Sequence, residues 1–233
     1  MIELMQEYGK AFLWSDGYHF SGVAVTLWLL VISVVVGFCL ALPLAVARVS
    51  RRKACWLPVW CFSYLFRGTP LYVQLLVFYS GVYSLSWVRE VDFLNWFFRS
   101  GYNCTLLALT LNTSAFNAEI WRNAFRTFPR EQREAAESVG MRRWTYFRYI
   151  MLPQMWIESL PALVNEMSFL IKGSPAIAVI GVVDLTRVTN RISSVTYEPL
   201  SPILAAGLLY VVIIGMLLKL QGLAERKAKR LAR

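Results

Sequence analysis

Residues 129–153, PREQREAAESVGMRRWTYFRYIMLP, decide how the rest of the chain is arranged, because this polar segment lies between long apolar blocks. Its first part, residues 131–139, consists mainly of good helix formers and includes two alanines small enough for a partner surface to approach closely. Gly140 then permits a sharp change of backbone direction. Pro153 suits the start of a following helix, where its missing N–H would have no partner anyway. The segment therefore predicts a short exposed helix, a turn and a second helix.

The apolar residues on either side come in blocks of membrane-spanning length. The chain is 57% hydrophobic and 16% charged, and a span needs about 20 mainly apolar residues. We place predicted spans at about residues 20–47, 56–85, 100–121, 153–171 and 200–220. Residues 173–183 are uncharged but too short to cross, and are interpreted as a short helix or re-entrant piece. The sequence thus predicts an all-α membrane protein with five transmembrane helices in a membrane domain over residues 20–222.

The net charge of +10 is concentrated on one side of this five-span arrangement. Of the 24 basic residues, four lie just after the first span, seven between the third and fourth spans, and six at the C-terminal end. Because basic loops stay in the cytoplasm, we expect residues 129–153 and the tail 223–233 to be cytoplasmic. The N-terminus is expected to be periplasmic, with residues 1–19 as an interfacial lead-in. Topology accounts for the charge, so no nucleic-acid partner is expected.

The second apolar block, residues 54–88, is too long for one straight span. As a single helix it would extend ~50 Å across a hydrocarbon core of ~30 Å. We expect a break at Arg67-Gly68-Thr69-Pro70, where glycine and proline interrupt the helix beside a guanidinium. Broken helices and charges at membrane depth occur where they line a cavity or meet a partner. The residues alone leave two interpretations open: a substrate cavity, or a structural kink with Arg67 paired to a carboxylate.

Polar residues also mark the third and fourth predicted spans. Asn112, Phe116 and Glu119 fall at i, i+4 and i+7 and share one helix face. The fourth span carries Asn165 and Glu166, and an acidic residue inside a span indicates a functional site, for which Arg67 is the obvious counter-charge. Polar residues in spans also serve simply to join helices, which is the default interpretation for the threonines and serines.

The sequence contains no set of residues typical of an enzyme. The sequence has no phosphate-binding loop, and a single histidine and four scattered cysteines do not suggest a metal site or a nucleophile with its base. The chain is therefore not expected to hydrolyse ATP itself. A secondary transporter is the alternative from another class, but it would usually contain internal repeats that build a complete path.

The spacing within residues 129–153 resembles the cytoplasmic loop of bacterial ABC importer permeases. Glu134-Ala135-Ala136, Gly140, Ile150 and Leu152-Pro153 fill every position of the EAA signature. Four further segments are similar to permeases of polar amino acid ABC importers: residues 66–74 (FRGTPLYVQ), 109–119 (LTLNTSAFNAE), 160–166 (LPALVNE) and 180–187 (IGVVDLTR). The resemblance extends over about residues 23–222, and residues 93–112 are most similar to one member of the paired histidine and lysine/arginine/ornithine permeases.

This resemblance implies a type I ABC importer permease fold in the bacterial inner membrane. It implies a dimer with a homologous second permease or with another copy of the chain, and a periplasmic binding protein that delivers the amino acid. It also implies two ATPase subunits, which bind ATP and magnesium, so that this chain holds no cofactor or metal. The helix carrying Glu134, Ala135, Ala136 and Gly140 would dock on an ATPase subunit.

The resemblance also assigns residues to a substrate site. Arg67 and Thr69 would hold the carboxylate of the amino acid, and Glu166 would face its amino or cationic side-chain group. Asn112, Glu119 and Asn165 would line the same cavity. A basic amino acid (histidine, arginine, lysine or ornithine) is favoured, while glutamine, glutamate or an opine stays open. The sequence departs from the family pattern at Phe116, where a tyrosine is usual, and at residues 172–175, where Lys-Gly-Ser-Pro replaces Lys-Asp-Thr-Ser.

Overall fold

The computed structural model describes residues 2–231, and regular structure in that range is helical throughout. Two segments are π turns that continue a preceding α-helix, Val77–Val82 and Phe147–Met151, and Ser174–Ile180 forms a 3-10 helix. The α-helices are α1 (Ile2–Leu13), α2 (Gly22–Arg48), α3 (Lys53–Gly68), α4 (Leu71–Leu76), α5 (Ser86–Glu90), α6 (Asp92–Arg99), α7 (Gly101–Thr127), α8 (Arg130–Ser138), α9 (Arg143–Tyr146), α10 (Leu152–Gly173), α11 (Leu185–Thr196) and α12 (Leu200–Leu231).

Three helical stretches are long and apolar enough to cross a membrane, namely Gly22–Arg48, Arg143–Ile180 and Leu200–Leu223. They coincide with the predicted first, fourth and fifth spans. The predicted second span corresponds to the broken pair α3 and α4, and the predicted third span to α7. Helix α7 has 27 residues, but its row of threonine, asparagine and serine side chains makes it more polar than the other long helices.

Helices α2 and α7 pack against each other along their length and form the centre of the bundle. Small side chains allow this close approach, because Ala41 and Ala45 on α2 and Ala118 on α7 are all completely buried. At Gly37 even a methyl group would lie 2.9 Å from the Cβ of Thr113, so glycine is required there. Helix α10 packs against both α7 and α12.

The predicted break in the second apolar block is confirmed. Helix α3 ends at Gly68, Thr69 and Pro70 have extended backbone, and α4 begins at Leu71. The short uncharged segment after the fourth span is also confirmed as a short helix, the 3-10 helix Ser174–Ile180. Proline fixes its own φ and disfavours helical backbone at the residue before it. Pro70 therefore determines that the chain leaves helical geometry at Thr69.

The short helix and turn predicted for residues 129–153 are present. Helix α8 ends at Ser138, and Gly140 takes a φ of +72°, which an L side chain rarely adopts. Pro153 stands in the first turn of α10, as expected, but the chain before it is already helical through α9 and a π turn. The π turn Phe147–Met151 is wider than an α turn. It ends two residues before Pro153, whose ring nitrogen has no N–H to donate.

Candidate functional site

The break between α3 and α4 is closed by a network of side-chain amides. Gln74 Nε2 donates to the carbonyl oxygens of Phe66 at 2.8 Å and Thr69 at 3.0 Å, and lies 2.9 Å from Thr69 Oγ1. Asn112 Nδ2 on α7 donates to the same Phe66 oxygen at 3.1 Å and to Gln74 Oε1 at 3.3 Å. Thr69 Oγ1 donates to the Leu65 oxygen at 2.8 Å. The carbonyls freed by the break thus find donors within the protein.

Gln74 is the residue of this network that the sequence prediction missed. It is buried, and it supplies more of the hydrogen bonds across the break than either Thr69 or Asn112. A signal was available, since Gln74 is the one amide within the otherwise apolar Leu71–Leu76. Thr69 and Asn112 are predicted to touch substrate, and in the structure their side chains also hydrogen-bond across the break.

Arg67 lies at the end of α3 between an aromatic ring and a carboxylate. Its guanidinium carbon is 5.3 Å from the centre of the Phe116 ring, and its Nη1 is 3.9 Å from Glu119 Oε2. The Arg67 side chain is 43% exposed, so one side of the guanidinium is open to a ligand. The predicted shared face of Asn112, Phe116 and Glu119 is confirmed, because all three meet the end of α3 or the break that follows it.

Glu119 is a buried anion surrounded by arginines. Its Oε1 is 3.1 Å from Arg48 Nε, and its Oε2 is 2.9 Å from Arg122 Nε. Together with the longer contact to Arg67, one carboxylate therefore faces three guanidinium groups. An unpaired buried charge is costly, and these ion pairs balance the charge of Glu119 within the protein.

Arg67 forms its ion pair with Glu119, while it also acts on Glu166 electrostatically from a longer distance. Among residues 4–226 no ion pair joins Arg67 to Glu166, and Glu166 makes none with any other residue. Glu166 is half-buried on α10, and its neighbour Asn165 is exposed. The sequence showed that both carboxylates lie in spans, but it could not show which helix face meets Arg67.

Helix α8 is attached to its own chain by one face and exposed on the other. Ala136 is buried in a cluster with Phe128 and Tyr146, so its small side chain serves packing within this chain. The amides of Gln132 and Gln154 exchange hydrogen bonds at 3.0 and 2.9 Å, which ties α8 to α10.

The exposed face contains the remaining predicted docking residues and two apolar residues that the sequence prediction missed. Glu134, Ala135 and Gly140 are exposed, and Val139 and Trp144 expose 75% and 70% of their surfaces beside them. Exposed apolar side chains of this size next to polar ones are typical of a surface that binds another protein.

The similarity to known proteins extends over nearly the whole chain. The model of the family described as "Binding-protein-dependent transport system inner membrane component" matches residues 33–230. The chain is 49% identical over 227 residues to the histidine/lysine/arginine/ornithine transport system permease protein HisM of Salmonella typhimurium, which covers 97% of each chain. It is 35% identical over 219 residues to the octopine transport system permease protein OccM of Rhizobium radiobacter, covering 94% of this chain and 89% of that one.

A solved structure has the same fold. The chain superposes on a chain of an amino acid ABC transporter crystallised with histidines, with a TM-score of 0.83 and 32% sequence identity. The superposition covers 97% of this chain and 98% of the other. The predicted type I ABC importer permease fold is therefore confirmed.

The amide network predicts that Gln74→Leu destabilises the protein. The substitution keeps an apolar body of similar size but leaves the carbonyls of Phe66 and Thr69 short of donors, at ~1–3 kcal/mol for each unsatisfied group. In a chain of this size each kcal/mol lowers the unfolding temperature by about 2–4 °C. Thermal unfolding of the purified protein, followed by circular dichroism, measures the shift.

Gln221→Leu on α12 is the matched control. Among the residues whose side chains are described, its amide bonds only to Glu225 Oε1, one helical turn away, so a shift below about 2 °C is expected. Equal shifts for the two variants would show that Gln74 does not hold the break.

Proposed function

The chain belongs to the family of binding-protein-dependent transport system inner membrane components, and we propose that it is one permease subunit of an ATP-driven importer for basic amino acids. The observation that carries this proposal is 49% identity to a histidine/lysine/arginine/ornithine permease over 97% of the chain. The surface-exposed helix α8, with its complete EAA spacing, gives independent support. A secondary transporter would have no use for such a docking helix.

We propose that the imported substrate is histidine, arginine, lysine or ornithine. A site for such an amino acid requires a cationic side chain for the substrate carboxylate and an anionic side chain for the substrate ammonium or guanidinium group. Arg67, open on one side, suits the first role, and Glu166, half-buried without an ion partner among residues 4–226, suits the second. Octopine also carries a guanidinium group, and similarity to an octopine permease makes an opine the alternative substrate.

The other predicted site residues are proposed to position Arg67 or to line the cavity. Thr69 and Asn112 keep the break in shape through hydrogen bonds to backbone carbonyls. Glu119 holds the side of Arg67 that faces α7, so that the guanidinium is pre-oriented before substrate arrives. Asn165, exposed on α10 next to Glu166, would line the same cavity.

The chain is proposed to work with four kinds of partner. A homologous second permease, or a second copy of this chain, would complete the membrane pathway, and a periplasmic binding protein would deliver the amino acid. Two ATPase subunits would supply ATP hydrolysis with magnesium, one of them docked on Glu134, Ala135 and Gly140 beside Trp144. Lipid would surround the exposed apolar faces of α2 and α12, where residues such as Val35 and Val211 are more than half exposed.

We further propose five spans in the inner membrane, with a periplasmic N-terminus and a cytoplasmic C-terminus. The domain limits stay as predicted, with a lead-in at residues 1–19, a membrane domain at 20–222 and a basic tail at 223–233. The supporting observation is the concentration of basic residues after α2, around α8 and after α12.

Labelling with an impermeant thiol reagent checks the orientation. Single cysteines replace four exposed residues, Arg51, Trp87, Arg133 and Tyr197, in a background without the native cysteines, three of which are exposed. In cells whose outer barrier is opened, the cysteines at 87 and 197 should react and those at 51 and 133 should not, until the inner membrane is permeabilised. Labelling of residue 133 from outside would overturn the five-span arrangement.

Gly140→Asp should impair both transport and substrate-stimulated ATP hydrolysis by the complete importer. Gly140 has a φ of +72° with no atom within 4 Å of an added Cβ, so a side chain there meets nothing in this chain and would protrude into the proposed ATPase contact. Uptake and substrate-stimulated ATPase activity of the complete importer should fall together by at least tenfold, while the amount of permease in the membrane is unchanged.

Gly17→Asp is the control, because Gly17 has a φ of +95° and is equally open but lies far from α8 in the chain. It carries the same backbone strain and the same added charge. Wild-type uptake by Gly140→Asp, or an equal loss in both variants, would contradict docking at this turn.

Arg67→Met and Glu166→Gln should each reduce uptake without reducing the amount of protein in the membrane. If the two side chains bind opposite ends of the substrate, the double variant should transport no better than either single variant. If they formed a structural pair, removing one charge would cost ~3–5 kcal/mol and removing both would restore the protein. Uptake of radiolabelled arginine and quantitative immunoblotting of membranes measure both quantities.

The matched control is Glu158→Gln, which removes an exposed carboxylate from the same helix two turns earlier. Its uptake should stay near the wild-type rate. Recovery of uptake in the Arg67→Met, Glu166→Gln double variant would place the substrate site elsewhere.

A further inference from the structure

A basic cavity lies where α2 ends, α3 begins and α7 ends. Its volume is about 320 Å³, and it is lined by Arg48, Val49, Ser50, Trp56, Arg122 and Arg126. Three of these six residues are arginines and none is acidic. This basic cavity is separate from the proposed substrate cavity, since neither Arg67 nor Glu166 lines it.

Positive charge exceeds negative charge around this cavity. Glu119 is the carboxylate that contacts Arg48 and Arg122, and it is shared with Arg67. Arg126 makes no ion pair within the part of the chain that the structure describes with side chains. Arg48 and Arg122 are largely buried and share one carboxylate, so their like charges repel, and an anion in the cavity would offset a cost that Glu119 offsets only in part.

The groups that line the cavity are suited to a phosphate. Guanidinium groups donate paired hydrogen bonds that match phosphate oxygens, and the hydroxyl of Ser50 is a further donor. The guanidinium carbon of Arg48 lies 5.7 Å from the centre of the Trp56 ring, which limits where this side chain can point. Side chains held in this way lose less entropy when a ligand binds.

The surroundings of the cavity favour a lipid over a soluble anion. Val46 and Val49 on the α2 side and Leu57 and Trp60 on α3 each expose 40–48% of their surface. An exposed tryptophan beside apolar side chains and arginines is typical of a membrane interface. Anionic headgroups are concentrated in the cytoplasmic leaflet, where arginine clusters attract them. A soluble phosphate compound would gain nothing from this apolar border, whereas acyl chains would lie against it.

We propose that this cavity binds the phosphate headgroup of an anionic phospholipid from the cytoplasmic leaflet. Arg126 and Ser50 would contact the phosphate without disturbing Glu119, and Arg48 and Arg122 would share their remaining donors between Glu119 and the lipid. The acyl chains would run along the exposed apolar residues of α2 and α3.

Native mass spectrometry of the full-length chain, with the subunits that copurify with it, tests this binding. Phosphatidylglycerol is titrated against phosphatidylcholine in detergent, for the wild type, for Arg126→Gln and for Arg142→Gln. Arg142 is an exposed arginine outside the cavity and serves as the control for net charge. Arg126→Gln should lower the affinity for phosphatidylglycerol by at least tenfold, and Arg142→Gln should change it by less than twofold. Phosphatidylcholine, which has no net charge, should bind weakly to all three.

Three outcomes would overturn the proposal. Displacement of phosphatidylglycerol by inorganic phosphate or glycerol phosphate at equal concentration would show a site for soluble anions. Equal effects of the two arginine variants would show diffuse attraction between charges. Loss of a copurifying ATPase subunit from Arg126→Gln, with lipid binding unchanged, would assign the cavity to a protein interface. Because lipid is counted on a detergent-solubilised protein, the result does not depend on transport activity or on membrane orientation.

Discussion

The structure depends on how the backbone is satisfied at the break between α3 and α4. A hydrocarbon layer contains no water that could donate a hydrogen bond to a freed carbonyl. A broken helix therefore persists there only where the protein itself supplies hydrogen-bond donors. Gln74 and Asn112 supply them, and both donate to the carbonyl oxygen of Phe66. The donors come from α4, which follows the break, and from the neighbouring α7, and they hold the end of α3 in a fixed position against the central helix.

That fixed position decides what Arg67 can do. The guanidinium is held by the ring of Phe116 and by Glu119, while 43% of the side chain stays exposed. Glu119 in turn is held by Arg48 and Arg122 at 3.1 and 2.9 Å. One buried carboxylate therefore links the ends of α2, α3 and α7. Such a cluster gives a single well-defined arrangement to three helices whose apolar faces alone would allow small shifts.

The proposed coupling surface and the proposed substrate site are connected by one helix. Helix α8 is joined to α10 by the paired amides of Gln132 and Gln154, and α10 carries Glu166. A displacement of α8 by a partner would thus act directly on the helix that carries the proposed substrate residue Glu166. The π turn Phe147–Met151 lies just before Gln154 and is a place where this helix can bend.

The sequence by itself determined the helical class, the break at Gly68 to Pro70, the short helix with its turn at Gly140, and the family. These features follow from local chemistry: block length, proline and glycine geometry, and spaced motif residues. Only the tertiary structure decided that Arg67 forms its ion pair with Glu119, that Gln74 closes the break, and that Ala136 packs inward. These depend on how helices are rotated against one another, and residues far apart in sequence meet only after that rotation is set by packing.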